Sequence, residues 1–219
     1  DIKSRYAPGK TKALILNSPN NPTGEVAPRE NLEAVAKVAR ELDLLVVSDE
    51  VYGRLLYDGA EPLSIAAFEG MKERTIVLNS FSKAYAMTGW RIGYAAGPRG
   101  IIDRMTKVQE YFNSCINTSA QLAAAYALDH PDLSENLLSE LKINRAIALS
   151  GIDAVPGIRA NHPKGAFYLF PRSLEADDKA FSERAKQFDL LLVPGSGFGA
   201  PGHFRIAYCV DTEMIQRAL

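Results

Sequence analysis

Lys83 closes the stretch Asn79-Ser80-Phe81-Ser82-Lys83, directly after the apolar run Thr75 to Leu78. A lysine amine can attack a carbonyl and form an imine when burial or neighbouring positive charge keeps part of it neutral. Asp49 stands in Ser48-Asp49-Glu50-Val51-Tyr52 after a second such run, Leu44 to Val47. A carboxylate there could hold a cation, since unit charges 4 Å apart at an effective dielectric of 20 attract by about 4 kcal/mol. A third run, Ala13 to Leu16, leads into Asn17-Ser18-Pro19-Asn20-Asn21-Pro22-Thr23-Gly24. Arg91 and Arg205 bring guanidinium forks suited to two oxygens of one phosphate or carboxylate. Each residue also has a plain explanation. Asn-Pro-Thr-Gly makes a turn, Asp49 caps a helix, Lys83 is solvated, Tyr52 packs under a loop, Arg91 makes a salt bridge, and Arg205 lines an exposed strand.

The concurrence of polar stretches after three apolar runs argues against six separate accidents. Each run has the length and β-branched or leucine content of a buried parallel strand. A crossover helix opens at Pro28 and carries Leu32, Val35, Ala36, Ala39 and Leu42 on one face. In open α/β sheets ligands bind beyond the carboxyl ends of the strands, so the three polar ends would share a crevice. Further on, Tyr57-Asp58-Gly59 reads as a turn, Ser64 to Phe68 as a short helix and Ile92 to Ala96 as a strand closed by Gly97-Pro98. Ile101 to Tyr111, Ala120 to Leu128 and a longer segment through Leu137, Leu141 and Leu149 read as helices. Strands at Ala166 to Phe170, Leu190 to Val193 and Phe204 to Val210, with a helix from Lys179 to Phe188, suggest a small α+β domain. Gly195-Ser196-Gly197-Phe198-Gly199 lacks dinucleotide-fingerprint spacing and precedes a strand, not a helix.

The bulk numbers narrow the class. With 219 residues, 47% of them hydrophobic, the chain can bury one to one and a half domains. Lys+Arg 25 against Asp+Glu 26 leaves a net charge of -1, which offers no footprint for nucleic acid or an acidic membrane. Cys115 and Cys209 have no bridging or metal pattern and are expected to be buried free thiols, as suits a reducing cytosol. No apolar run reaches the ~18 residues of a membrane span. The chain opens on Asp1 with no leader, which suggests an excised piece.

Together NSPNNPTG, SDEVY, NSFSKAYAMTGWRIGY, PKGAFYLFP and HFRIAY, in this order, resemble the class I and II aminotransferases of pyridoxal-phosphate (PLP) fold type I. The resemblance implies an α/β fold: part of the PLP-binding large domain over 1–146, with a mixed, mainly parallel sheet, and a truncated small α+β domain over 147–219. It implies that Lys83 anchors pyridoxal 5′-phosphate and acts as the acid/base between substrate α-carbon and cofactor. Asp49 would keep the pyridine nitrogen protonated, so that the ring remains an electron sink. Asn21 and Tyr52 would bond the ring's 3′ oxygen, Ser80 and Arg91 the phosphate, and Arg205 the substrate α-carboxylate; no metal is implied. Amino-acid and 2-oxo-acid substrates and a cytoplasmic homodimer follow from the same likeness.

The family's N-terminal phosphate loop and ring-stacking aromatic find no match here, so weak PLP binding and poor solubility are expected of this piece. Tyr111 to Ile116 contain no arginine for a distal substrate carboxylate, which disfavours one aspartate-using subclass. A PLP-dependent lyase, or a non-catalytic PLP-sensing domain of a transcription regulator, remains the alternative. The likeness further implies one sheet in the order of the four large-domain strands, the last antiparallel and both edges unpaired.

Overall fold

The computed structural model describes residues 2–219, which divide into two compact units. The first comprises residues 2–19, 27–54 and 61–135, and the second 20–26, 55–60 and 136–219. The sequence suggested a single division at 146/147. The compact units separate at 135/136 and assign two short early segments to the second unit.

In unit 1, α1 (Ile2–Arg5) precedes β1 (Ala13–Asn17), α2 (Arg29–Glu41), β2 (Leu45–Asp49), β3 (Thr75–Ser80), α3 (Phe81–Ala84), β4 (Gly93–Ala96), α4 (Arg99–Asn113) and α5 (Thr118–Asp129). The sheet order is β1-β2-β3-β4, parallel except for β3 against β4, as the resemblance implied. Pro28 stands at the N-cap of α2, where its fixed φ of -61° leads into the helix and its missing N–H costs nothing. Leu32, Ala36 and Ala39 recur at helical spacing and are buried. The two alanines join Leu44, Val46, Ile65 and Met71 in the core under one sheet face. Asp43 adopts φ 49° and the Leu44 N–H bonds back to Ala39 O at 2.8 Å, which ends α2 and turns the chain into β2.

The opposite sheet face is open among the described residues. Ile15 is 79% exposed and Leu45 37%, because the side chains that alternate away from α2 meet no second layer among the described residues. The edges formed by β1 and β4 each pair on one side only.

Unit 2 holds α6 (Asp132–Ala154) from residue 136 onward, then β5 (Tyr168–Leu169), α7 (Asp178–Ala185), β6 (Val193–Pro194), β7 (Phe204–Ala207) and α8 (Thr212–Ala218). The strands form an antiparallel sheet in the order β5-β7-β6 and are shorter than expected. Ala166, at φ 57°, bends the backbone before β5. Residues 55–60 are tied in by Tyr57 N–H to Lys164 O (2.9 Å), Ala166 N–H to Leu55 O (2.9 Å) and Tyr57 O–H to Ala166 O (2.5 Å). Arg145 grips Asp58 with two N–H donors, at 2.6 and 3.2 Å. Gly24 secures residues 20–26: its carbonyl accepts from Gly165 N–H at 2.9 Å. At φ +66°, with a Cβ position 2.7 Å from Gly165 O, only glycine fits there.

Cys115 and Cys209 form no disulfide among the described residues and are exposed, correcting the expectation of burial: each lies just beyond the end of an element, α4 and β7 respectively. No helix among the described residues is long and apolar enough to cross a membrane, and no His/Cys/Asp/Glu cluster among them could hold a metal ion.

Candidate active site

Unit 1 carries five of the seven candidate residues. Asp49 ends β2 and pairs in register with Leu78 of parallel β3, so Asp49 and the Asn79-Ser80 end of β3 leave the sheet at the same edge. Asp49 Oδ1 accepts the Val51 N–H at 3.3 Å and its backbone carbonyl accepts from Asn17 Nδ2 at 3.3 Å, which fixes the strand end. The local capping contact is therefore real. Tyr52 follows one turn on and is 4% exposed.

Glu50 shapes this turn. Its Oε1 accepts from the hydroxyls of Ser48 (2.8 Å) and Ser64 (2.6 Å), while its carbonyl accepts from Gly53 N–H at 2.8 Å. Sequence reasoning passed over Glu50, although an acid between Asp49 and Tyr52 was visible. Lys83 lies in the four-residue helix α3, which Ser80 caps by accepting the Ser82 N–H at 3.1 Å. Phe81 and Ala84 of α3 are buried, Phe81 in a core with Ala120, Ala124 and Ala127, a stripe of small residues on α5. That packing fixes the short helix, which its own hydrogen bonds could not do.

Ser80 and Arg91 are the two phosphate candidates. Ser80 Oγ donates to Ile92 O at 3.2 Å, across the antiparallel pair in which Ser80 faces Gly93. A side chain at Gly93 would place its Cβ 2.7 Å from Asn79 O, so the glycine permits this close approach. Arg91 is exposed, adopts φ 53° after the turn Thr88–Trp90, and donates from Nη1 to Thr88 O at 2.9 Å.

The remaining two candidates, Asn21 and Arg205, are both in unit 2 and touch. Arg205, on β7, donates from Nη1 to Asn21 Oδ1 at 2.7 Å. Its guanidinium carbon lies 4.6 Å from the ring centre of Tyr168 and 5.0 Å from that of Phe198. The Nε atom is buried with no hydrogen-bond partner among the described residues. Sequence reasoning missed both rings, although Tyr168 stood in PKGAFYLFP and Phe198 in the glycine turn. In the same unit the carboxyl of Asp178, a buried residue, is held below the usual carboxylate range, chiefly by the Ser196 N–H at 2.7 Å.

The profile of the family "Aminotransferase class I and II" matches residues 1–219, the whole chain. The chain belongs to that family. This aminotransferase-family chain is 43% identical to the aspartate aminotransferase of Bacillus sp. (strain YM-2) over 96% of its own length and 56% of the relative's. It is 41% identical to the aromatic-amino-acid aminotransferase 2 of Thermococcus litoralis over 100% of its own length and 58% of that protein's. Among solved structures, the aromatic aminotransferase of Pyrococcus horikoshii OT3 superposes with a TM-score of 0.93 at 42% identity, covering 100% of this chain and 61% of that one. The fold is that of the fold type I aminotransferases, and the chain spans somewhat over half the length of the curated relatives it matches.

Proposed function

We propose that this chain belongs to a PLP-dependent aminotransferase that exchanges an amino group between an α-amino acid and a 2-oxo acid, with Lys83 as its catalytic residue. The observation that carries the reading is the in-register parallel pairing of β2 with β3, from whose shared carboxyl edge Asp49 and the Ser80–Lys83 segment emerge. The donor set of unit 1 suits pyridoxal phosphate: a hydroxyl and a guanidinium for phosphate (Ser80, Arg91), a carboxylate for the pyridine nitrogen (Asp49), a phenol for the 3′ oxygen (Tyr52) and an amine for the aldehyde (Lys83). Asn21 is the second partner of that oxygen. When bound, the cofactor supplies an electron sink for charge developing at the substrate α-carbon.

The chain's own residues do the rest. Lys83 Nζ anchors the cofactor and, once released, takes the proton from the substrate α-carbon and later returns it. Arg205 holds the α-carboxylate and so sets which α-carbon bond faces the cofactor. In this reading unit 1 supplies the cofactor-binding portion and unit 2 the small-domain portion. The buried, unpartnered Nε of Arg205 supports an anionic ligand there. Relatives of similar identity carry the names of aspartate, aromatic-amino-acid and asparagine transaminases, which supports an amino acid without narrowing it to one of these.

A cytosolic homodimer completes the proposal. The lack of a disulfide at Cys115 and Cys209 suits a reducing compartment, and large apolar side chains exposed on α4, such as Tyr111 (83%) and Phe112 (80%), suit association. The test is an assay of the enzyme with PLP, aspartate or phenylalanine as donor and a 2-oxo acid as acceptor. Formation of the matching new amino acid is the expected result. Release of ammonia in place of transfer would instead assign a lyase, and PLP binding without turnover a sensor.

A further inference from the structure

Gly195-Ser196-Gly197-Phe198-Gly199 is built tightly and has no part in the chemistry above. The segment Gly195–Phe198 is a single 3-10 turn closed by Gly199 at φ 73°. Gly195 N–H bonds His203 O at 2.7 Å, Ala200 N–H bonds Gly195 O at 3.0 Å, and a Cβ on Gly195 would come within 2.8 Å of His203 O. Ser196 N–H donates to Oδ2 of Asp178, which is 4% exposed on the first turn of α7. Phe198 meets Phe170 edge-on at 6.0 Å, and Phe170 stacks on His203 at 5.3 Å. The side chain so fixed lies against Arg205.

We propose that this turn is a positioning device for Arg205, with Phe198 as the positioning residue, Asp178 as the anchor of the turn, and a planar carboxylate as the ligand it serves. The inference rests on the reading of Arg205 as the substrate-carboxylate residue. An arginine side chain carries about 2 kcal/mol of rotamer entropy, which must be removed before its fork can meet a carboxylate squarely. An acidic neighbour would do this only by occupying the N–H groups that the substrate needs. An aromatic ring holds the cation through its face and leaves those donors free. Asn21 takes one N–H on Nη1, the rings of Tyr168 and Phe198 lie against the guanidinium, and Asp178 accepts from the Ser196 N–H of the turn that carries Phe198.

The test is a titration of the whole enzyme with propionate, a monocarboxylate, followed by the NMR signal of the Arg205 Nε–H group. Phe198→Leu is expected to weaken propionate binding roughly three- to tenfold, with Phe198→Tyr restoring it to within about twofold. Asp178→Ala should weaken binding in the same direction and add little in the Phe198→Leu background, since both act through one turn. In the holoenzyme Phe198→Leu should raise KM for both substrates while kcat changes little. Unchanged propionate affinity in Phe198→Leu, with the unaltered chain responding, overturns this proposal alone. No response of Arg205 to propionate in the unaltered chain overturns the assignment of Arg205 itself.

Discussion

Asn21 and Arg205 stand 184 positions apart and meet side chain to side chain, Asn21 Oδ1 accepting from Arg205 Nη1 at 2.7 Å. An amide oxygen on a guanidinium is a charge-assisted bond, and it holds the fork without neutralising it. Asn21→Ala is expected to raise KM for both the amino acid and the 2-oxo acid by about tenfold, the usual weight of a hydrogen bond to a charged group. Steady-state kinetics on the enzyme decide this, and an unchanged KM for both substrates would remove Asn21 from the carboxylate site.

Lys83→Ala should eliminate covalently held cofactor and lower transamination by several orders of magnitude, because one amine serves as both anchor and proton carrier. Mass spectrometry after borohydride reduction reads the first effect and a coupled assay the second. Near-normal turnover would place the catalytic amine elsewhere.

The Arg145 guanidinium beside Asp58 holds that carboxyl below its ordinary range. A carboxylate whose folded pKa is depressed contributes stability that is full above its unfolded pKa and is lost as pH falls through the folded value. Because Asp58 is half exposed, the contribution is that of a surface bridge, up to about 1 kcal/mol. Denaturant unfolding should therefore show Asp58→Asn less stable than the unaltered chain at neutral pH, with the gap closing below about pH 4. A gap that stays constant down to pH 2 contradicts the assignment.

Burial pushes the Tyr57 hydroxyl up to about 12, and it raises that of Tyr208 as well. For such groups the sign is opposite: stability is full below the unfolded value near 10 and is lost as pH rises through the folded one. Tyr57→Phe removes the donor to Ala166 O and should cost roughly 1–2 kcal/mol at neutral pH. Between about pH 10 and 12 that difference should shrink, since the variant has no phenol to ionise at this position. Thermal unfolding across that range tests the expectation; a difference that grows with pH would contradict it.

The apolar runs showed that strands were present and where they end, whereas their order and the antiparallel last strand came from the family resemblance alone, because pairing depends on contacts that no single run encodes. The α2 face was legible from Leu32, Ala36 and Ala39 alone, since helical spacing and burial coincide there. The exposure of Ile15 was not legible from its apolar run, because an apolar strand residue looks the same whether or not a layer covers it. Cys115 and Cys209 were misread for a related reason: their burial depends on where the flanking elements stop. Tyr168 and Phe198 were hidden, since a ring that packs on a guanidinium and one that fills a core have the same sequence signal. Glu50 was overlooked because its role, accepting two serine hydroxyls, depends on Ser64 arriving from 14 residues away.

Residues 20–26 and 55–60 belong to the second unit although the chain emits them long before the rest of it. During synthesis Tyr57 has to wait for Arg145, Ala166 and Tyr208, and Asn21 for Arg205, before either finds its partners. The second unit is therefore not one continuous stretch of chain. A recombination joint at 135/136 would carry Arg205 away from Asn21, and Arg145 away from Asp58. An exchanged segment 136–219 would have to meet an amide at position 21 and a carboxylate at position 58 to keep these two pairs.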